Sequence, residues 1–136
     1  MAWARRGLVA CLMVVALTSV LVALRWLPLD AGGADSRARR EIVLVVRGMA
    51  FYLDGQFETV NPTLRFRAGE RVRVVVRNEE PGVTHNFAVP AWKVKTRELH
   101  GGGADGVEFV VPAAPGRQDY QCTPHSTMMR GTIEIE

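Results

Sequence analysis

The amino-acid sequence predicts an all-β domain, an antiparallel two-sheet sandwich of seven to eight short strands, preceded by one N-terminal hydrophobic helix. From residue 41 onward, short runs either alternate between apolar and polar residues or are rich in β-branched residues. Turn residues, mainly Gly, Pro and Asp, recur between these runs. No segment after residue 40 has the period of a soluble amphipathic helix. Many short strands with frequent turns are typical of a sandwich.

The N-terminal segment carries the longest apolar run. Residues 7–24 contain no charge and follow Arg5 and Arg6. As a helix this run would be about 27 Å long, close to the hydrocarbon thickness of a bilayer and longer than the apolar core of most signal peptides. We expect residues 1–30 to be an uncleaved signal anchor, with a cleaved signal peptide as the alternative. Either directs export, to the periplasm or the outer face of the cell membrane.

The remainder divides into a short linker and one domain. Residues 31–40 are mostly Gly, Ala, Asp, Ser and Arg, which have little to bury, so we expect a flexible linker before a domain at 41–136. Residues 90–103 fit the strand pattern least and are predicted to form a long irregular loop. Strands are predicted at residues 42–46, 49–53, 64–66, 72–76, 107–111, 118–121 and 132–136.

Charge and cysteine content exclude some classes of function. The formal net charge is +3, and two of these charges come from residues 1–30, so no concentrated basic face for nucleic acid is expected. Cys11 lies inside the apolar segment, which argues against a disulfide with Cys122. An unpaired cysteine in an exported domain is unusual, because oxidising compartments pair or consume free thiols. Metal ligation is one way to protect Cys122.

A cluster of metal-ligand side chains precedes the last predicted strand. Cys122, His125, Met128 and Met129 lie within eight residues, and His85 follows the valine-rich strand upstream. Taken singly, such residues are more often a buried thiol, a surface histidine or core-filling methionines. Their coincidence favours a metal site, because two imidazoles, one thiolate and a weak thioether are the ligand set of electron-transfer copper centres.

Residues 41–136 resemble the blue copper proteins of the plastocyanin and azurin type, the cupredoxins. The run from Tyr120 to His125, followed by Met-Arg-Gly, is most similar to the amicyanins and pseudoazurins. The resemblance implies a Greek-key β-sandwich with one type 1 copper held by His85, Cys122, His125 and one methionine.

The resemblance leaves a choice between adjacent methionines. Counting forward from the cysteine, as in amicyanin, selects Met128, whereas counting back from the Met-x-Gly pattern selects Met129, and we expect Met129. The resemblance also implies that Asn86 ties the His85 loop to the segment at Cys122 and Thr123.

A second local similarity concerns residues 85–96, which resemble the first-histidine segment of the binuclear copper domain of cytochrome oxidase subunit II. That centre needs a second cysteine four residues after the first, where this sequence has Ser126, so a binuclear centre is excluded. The remaining histidine, His100, is expected to be exposed in a Gly-rich loop and not a ligand. Phe87 and Trp92 are expected to pack beneath the site.

The predicted function is electron transfer by a membrane-anchored, extracytoplasmic monomer that is not an enzyme. A redox partner is expected to dock where His125 reaches the surface, on an apolar patch that includes Pro124, Met128 and Ala91. One alternative is a copper carrier or storage protein. A domain of a copper reductase or oxidase would need more than the three histidines present. A metal-free adhesive sandwich leaves Cys122 unexplained.

Overall fold

A computed structural model describes residues 39–136 of the chain. The predicted membrane helix at 7–24 and Cys11 lie outside the described residues. Within residues 39–136, no helix combines the length and the apolar character needed to cross a membrane.

The described part of the chain is mostly β-structure, as predicted. Two single-turn 3-10 helices, Pro90–Trp92 and Thr123–His125, interrupt the strands. In chain order the strands are β1 (Arg40–Arg47), β2 (Ala50–Leu53), β3 (Leu64–Phe66), β4 (Arg71–Asn78), β5 (Thr84–His85), β6 (Ala88–Val89), β7 (Val94–Lys95), β8 (Leu99–His100), β9 (Gly103–Val110), β10 (Gly116–Gln121) and β11 (Arg130–Ile135).

Most of these strands form two sheets. The first sheet has four strands in the order β2-β1-β4-β9, and the second has five in the order β3-β11-β10-β6-β7. Strands β5 and β8 form a separate two-stranded ribbon. Alternate residues of the long strands point into one core; in β4 these are Val72, Val74 and Val76, each 0% exposed. Aromatic rings fill the centre, with Phe51 and Phe87 each 5.5 Å from Tyr120 between ring centroids.

Two features of the fold differ from the prediction. The sheets are mixed and not purely antiparallel, because β1 pairs with β4 and β11 with β3 in parallel. Alternation along a strand fixes which face a residue occupies but not which distant strand lies alongside. The seven longer strands overlap the seven predicted runs, but β9 begins at Gly103, four residues earlier than predicted. Strands β5 to β8 have two residues each, too few for a sequence pattern, and β7 and β8 lie in the segment predicted to be irregular.

The turn between β1 and β2 is linked to the segment before β5. Gly48 and Met49 have φ of 55° and 61°, as a two-residue type I′ hairpin requires. The backbone N–H of Met49 donates to both carboxylate oxygens of Glu80, at 3.1 and 3.2 Å. Asn78 fixes the same segment, since its Nδ2 donates to the carbonyls of Val83 and Leu99. The chain leading to His85 is therefore anchored to the first sheet.

Candidate metal centre

Three side chains of metal-ligand type converge at one end of the sandwich. The ligand atoms of His85, Cys122 and His125 all lie within 4.8 Å of one another. They come from three places in the chain: the end of β5, the residue after β10, and the end of the second 3-10 helix. The Nδ1 atoms of the two histidines each lie 3.6 Å from Sγ of Cys122.

The spacing of these atoms fits a shared metal ion. Donors bound to one first-row ion at about 2.0 Å for nitrogen and about 2.3 Å for sulfur, at an angle of roughly 115°, lie about 3.6 Å apart. Both Nδ1···Sγ separations equal that value. Two imidazoles and one thiolate with a weak axial thioether are the donors of blue copper sites. The residues present therefore fit copper.

Burial shapes the protonation of the cluster. Burial lowers the pKa of His85 and raises the pKa of the Cys122 thiol. A neutral imidazole leaves its Nδ1 lone pair free for a metal. The backbone N–H groups of Asn86 and His125 act in the opposite direction on the pKa of Cys122 and favour its thiolate. The Cys122 thiol is therefore expected to lose its proton when a metal cation binds to the sulfur.

The loop that carries Cys122 and His125 closes on itself through backbone hydrogen bonds. Cys122 N donates to the carbonyl of Met129 at 3.0 Å, and Met129 N donates to the carbonyl of His125 at 2.9 Å. His125 N donates to the carbonyl of Cys122 at 3.1 Å. Met129 is 0% exposed within the core, whereas Met128 is 58% exposed. The two adjacent methionines therefore have opposite surroundings.

Asn86 connects the two segments that carry the cluster. Its Oδ1 accepts from the backbone N–H of Thr123 at 2.7 Å, and its Nδ2 donates to Thr123 Oγ1 at 3.1 Å. Asn86 is itself buried, so these bonds form away from water. The bonds hold the residue after His85 against the residue after Cys122, as the resemblance implied for this asparagine.

Glu80 contacts the cluster, although no pattern in the sequence predicts this contact. Its Oε2 lies 2.7 Å from Nε2 of His85. Its negative charge opposes the lowering of the His85 pKa by burial. In the sequence Glu80 belongs to a polar Glu-Glu-Pro-Gly turn, and such a turn is ordinarily solvated. Only the folded path of residues 79–83 brings this carboxylate inward.

Asn61 is a second residue that sequence reasoning missed. Its backbone N–H donates to the carbonyl of Phe51, and its Oδ1 accepts from Phe51 N at 3.0 Å. Its Nδ2 donates to the carbonyl of Met128 at 3.0 Å. Asn61 therefore fastens the ligand loop to β2. Its φ of 46°, which asparagine tolerates better than most residues, has no signature in a single sequence.

Three other residues singled out from the sequence supply no ligand atom to this cluster. His100 is exposed, but it lies in β8 and not in a loop, and its Nδ1 is 2.8 Å from Oγ1 of Thr84. Phe87 is buried beside Tyr120. Trp92 is half-buried, and its ring lies 5.7 Å from that of Phe109, which pairs with the start of β4. Trp92 thus packs towards the opposite end of β4 from His85, which corrects the expectation that it lies beneath the site.

Comparison with known proteins gave one family and several structures. The family model described as copper binding proteins, plastocyanin/azurin family, matches residues 54–136. Auracyanin A, a blue copper protein from the green thermophilic photosynthetic bacterium Chloroflexus aurantiacus, is 19% identical with a TM-score of 0.57, covering 71% of this chain and 98% of its own. Reduced auracyanin from Roseiflexus castenholzii is 18% identical with a TM-score of 0.58, covering 73% of this chain and 98% of its own.

These two likenesses establish that the fold is the one auracyanins have. An oxidised proline-to-glycine variant of amicyanin is 25% identical, with a TM-score of 0.48 over 78% of this chain and 90% of its own. A search of curated proteins found no match to the chain.

Proposed function

Because the chain belongs to the plastocyanin/azurin family of copper-binding proteins, we propose that it is an electron carrier and not an enzyme. The chain binds one type 1 copper, as its family and its cluster of donors indicate. We assign His85, Cys122 and His125 as the equatorial ligands and Met129 as the axial ligand. The observation that carries the proposal is the convergence of both Nδ1 atoms on Cys122 Sγ at 3.6 Å.

The protein contributes to electron transfer by fixing the positions of the metal-ligand atoms. When bound, copper supplies a centre that exchanges one electron between Cu(I) and Cu(II). Asn86 and the backbone bonds between Cys122, His125 and Met129 fix the donor positions. His85 and Cys122 have 0% exposure, so water does not rearrange around them. A site that changes shape little on gaining an electron has a small reorganisation cost.

The edge of His125 is the proposed route for electrons to a partner. His125 is half-buried, unlike the fully buried His85. Next to it Pro124 is exposed, and Met128 is 58% exposed. An apolar rim around a partly exposed ligand is a suitable docking surface for a redox protein.

Copper delivery is the alternative function, and burial argues against it. A carrier that hands over its metal needs ligands that a partner can reach and replace. Here the thiol and one imidazole are both fully enclosed. Release would require opening the loop that Asn86 and Asn61 hold in place.

A location outside the cytoplasm is part of the proposal. The uncharged segment 7–24, preceded by Arg5 and Arg6, supports export and anchoring in the membrane. A single chain with one copper needs no second subunit to complete the ligand set, which is consistent with a monomer.

The direct test is Cu(II) titration of the full chain. We expect an intense visible thiolate-to-copper charge-transfer band that saturates at one copper per chain. Cys122→Ser should abolish the band. Ser126→Ala, in the same loop, should keep it, because this residue supplies no ligand.

The second part of the test separates the two functions. Reversible one-electron reduction by voltammetry, with copper retained on mixing with a competing chelator, is expected for an electron carrier. Absence of the band in the wild type would refute the copper assignment. A normal band with rapid loss of copper to the chelator would favour delivery.

A further inference from the structure

A groove of about 540 Å³ lies on the outer face of the second sheet, where β6, β7 and β10 meet. Ala88 and Pro90 supply apolar side chains to it, and Val94 also lines it, although the Val94 side chain packs against the core. Ala88 pairs with Gln121 on one side and with Lys95 on the other, so these three side chains share the outer face.

The groove carries the only two lysines of the chain. Lys93 and Lys95 both line it, while the other fifteen basic residues of the sequence are arginines. Neither lysine forms an ion pair within residues 39–136, whereas arginines such as Arg77 and Arg117 pair with carboxylates. The nearby acid on β10, Asp119, lies 3.9 Å from Arg130. The groove therefore presents two uncompensated positive charges beside an apolar floor.

The groove is also next to the metal centre, because two of its lining residues are sequence neighbours of Cys122. Gln121 and Thr123 both line it, and they are the covalent neighbours of Cys122 on either side. Thr123 is held by two hydrogen bonds to Asn86, so this wall of the groove is rigid. A molecule bound there contacts both residues that flank Cys122, whereas Met128 does not line the groove.

We propose that this lysine groove binds an acidic, extended segment of the redox partner, an inference that rests on the proposed electron-transfer function. Two unpaired ammonium groups attract carboxylates and speed encounter with a negatively charged protein. The apolar floor accommodates a side chain between the charges. Strand β7, which carries Lys95, is the outermost strand of its sheet, so the groove lies at the edge of that sheet.

The shape of the site favours a protein segment over a bilayer. A lipid surface is flat and contacts protruding charges, whereas this site is a groove that Ala88 and Pro90 line together with the two lysines. An anionic membrane is the competing ligand, and the experiment must distinguish it from an acidic protein segment.

The test is an NMR titration of the copper(I)-loaded full chain, labelled with ¹⁵N, with an octaglutamate peptide as the probe. We expect localised shift changes at Ala88, Val94 and Gln121. Lys93→Gln combined with Lys95→Gln should weaken binding by roughly 5- to 30-fold, the effect of losing two exposed charge contacts.

The matched control is Arg67→Gln combined with Arg71→Gln. These exposed arginines flank the turn that leads into β4, Arg67 before the turn and Arg71 as the first residue of the strand. They form no ion pair within the described part of the chain, and their loss changes the net charge equally. Binding of the peptide to this control should stay within about twofold of wild type, because screening weakens distant charges.

Three results would overturn the inference: shift changes centred on Met128 and His125, equal weakening in both double variants, or tighter lysine-dependent binding to phosphatidylglycerol vesicles than to the peptide. The visible copper band separates this inference from the proposed function. A wild type without the band refutes the function, whereas a wild type with the band but without groove binding refutes the docking site alone.

Discussion

At the residue scale, burial distinguishes the two neighbouring methionines as candidate axial ligands. Met129 is fully enclosed, and its backbone is bonded to both Cys122 and His125. Met128 has the same side chain, but it faces solvent. A thioether donor to a buried ion must itself point inward, which supports Met129 as the axial ligand.

Met129→Leu should change the copper centre and leave the fold intact. The substitution conserves volume, so it should cost less than about 1.5 kcal/mol of stability. Loss of a weak donor disfavours Cu(II) relative to Cu(I), and we therefore expect a higher reduction potential and an altered visible spectrum. Voltammetry and absorption of the copper-loaded chain measure both.

Met128→Leu is the matched control, and it should leave the potential and the spectrum unchanged. The opposite pattern, with the shift in Met128→Leu and none in Met129→Leu, would reverse the assignment.

At the scale of elements, β10 and β11 fit together because one residue lacks a side chain. Gly131 pairs with Tyr120, and a Cβ built on Gly131 would lie 2.4 Å from the phenol ring. Tyr120 cannot move easily, since its hydroxyl donates to the carbonyl of Pro62 at 2.6 Å in the core. Burial raises the pKa of this hydroxyl, so it stays protonated and keeps donating. Packing therefore requires glycine at the second residue of β11, directly after the ligand loop.

Gly131→Ala should destabilise the domain by at least 1–3 kcal/mol, the usual cost of overpacking a core. Urea unfolding measures the change in the free energy of unfolding.

Gly106→Ala, in β9, is the comparison, because its added Cβ would first meet the end of the Arg73 side chain, which can move aside. We expect a clearly smaller loss there. Equal losses would show that the Tyr120 contact is not the cause.

At the scale of the whole molecule, the outer faces of the sheets are covered by arginine–carboxylate pairs. A hydrogen bond from Arg77 holds the pKa of Asp54 below its usual value, and one from Arg47 does the same for the pKa of Glu79. The backbone N–H of Arg97 lowers the pKa of Asp105. All three carboxylates are therefore more acidic in the folded protein than in the unfolded chain.

These shifts predict loss of stability in acid. A carboxylate with a lowered folded pKa contributes stability above its unfolded pKa, about 4, and that contribution disappears as the pH falls through the folded value. The free energy of unfolding of the metal-free chain should fall below about pH 4 as these carboxylates are protonated. Buried His85, whose folded pKa is lowered, adds an earlier loss that begins below its unfolded pKa of about 6.5. Urea unfolding at constant ionic strength measures this. A stability that rose on acidification would contradict the prediction.

The sequence by itself determined the features that depend on neighbouring positions. Alternation of apolar and polar residues specified the seven long strands, because a side chain's face follows from its place along a strand. The short spacing from Cys122 to Met129 confined those side chains to one loop, and the chemistry of the set pointed to copper.

Only the tertiary structure decided what depends on distant parts of the chain. It determined which methionine faces inward, and it placed the Glu80 carboxylate against His85 and the two lysines beside the wall formed by Gln121 and Thr123. It also determined the parallel pairing of β1 with β4. The physical reason is that long-range pairing depends on how complete faces pack together, and no local pattern records that packing.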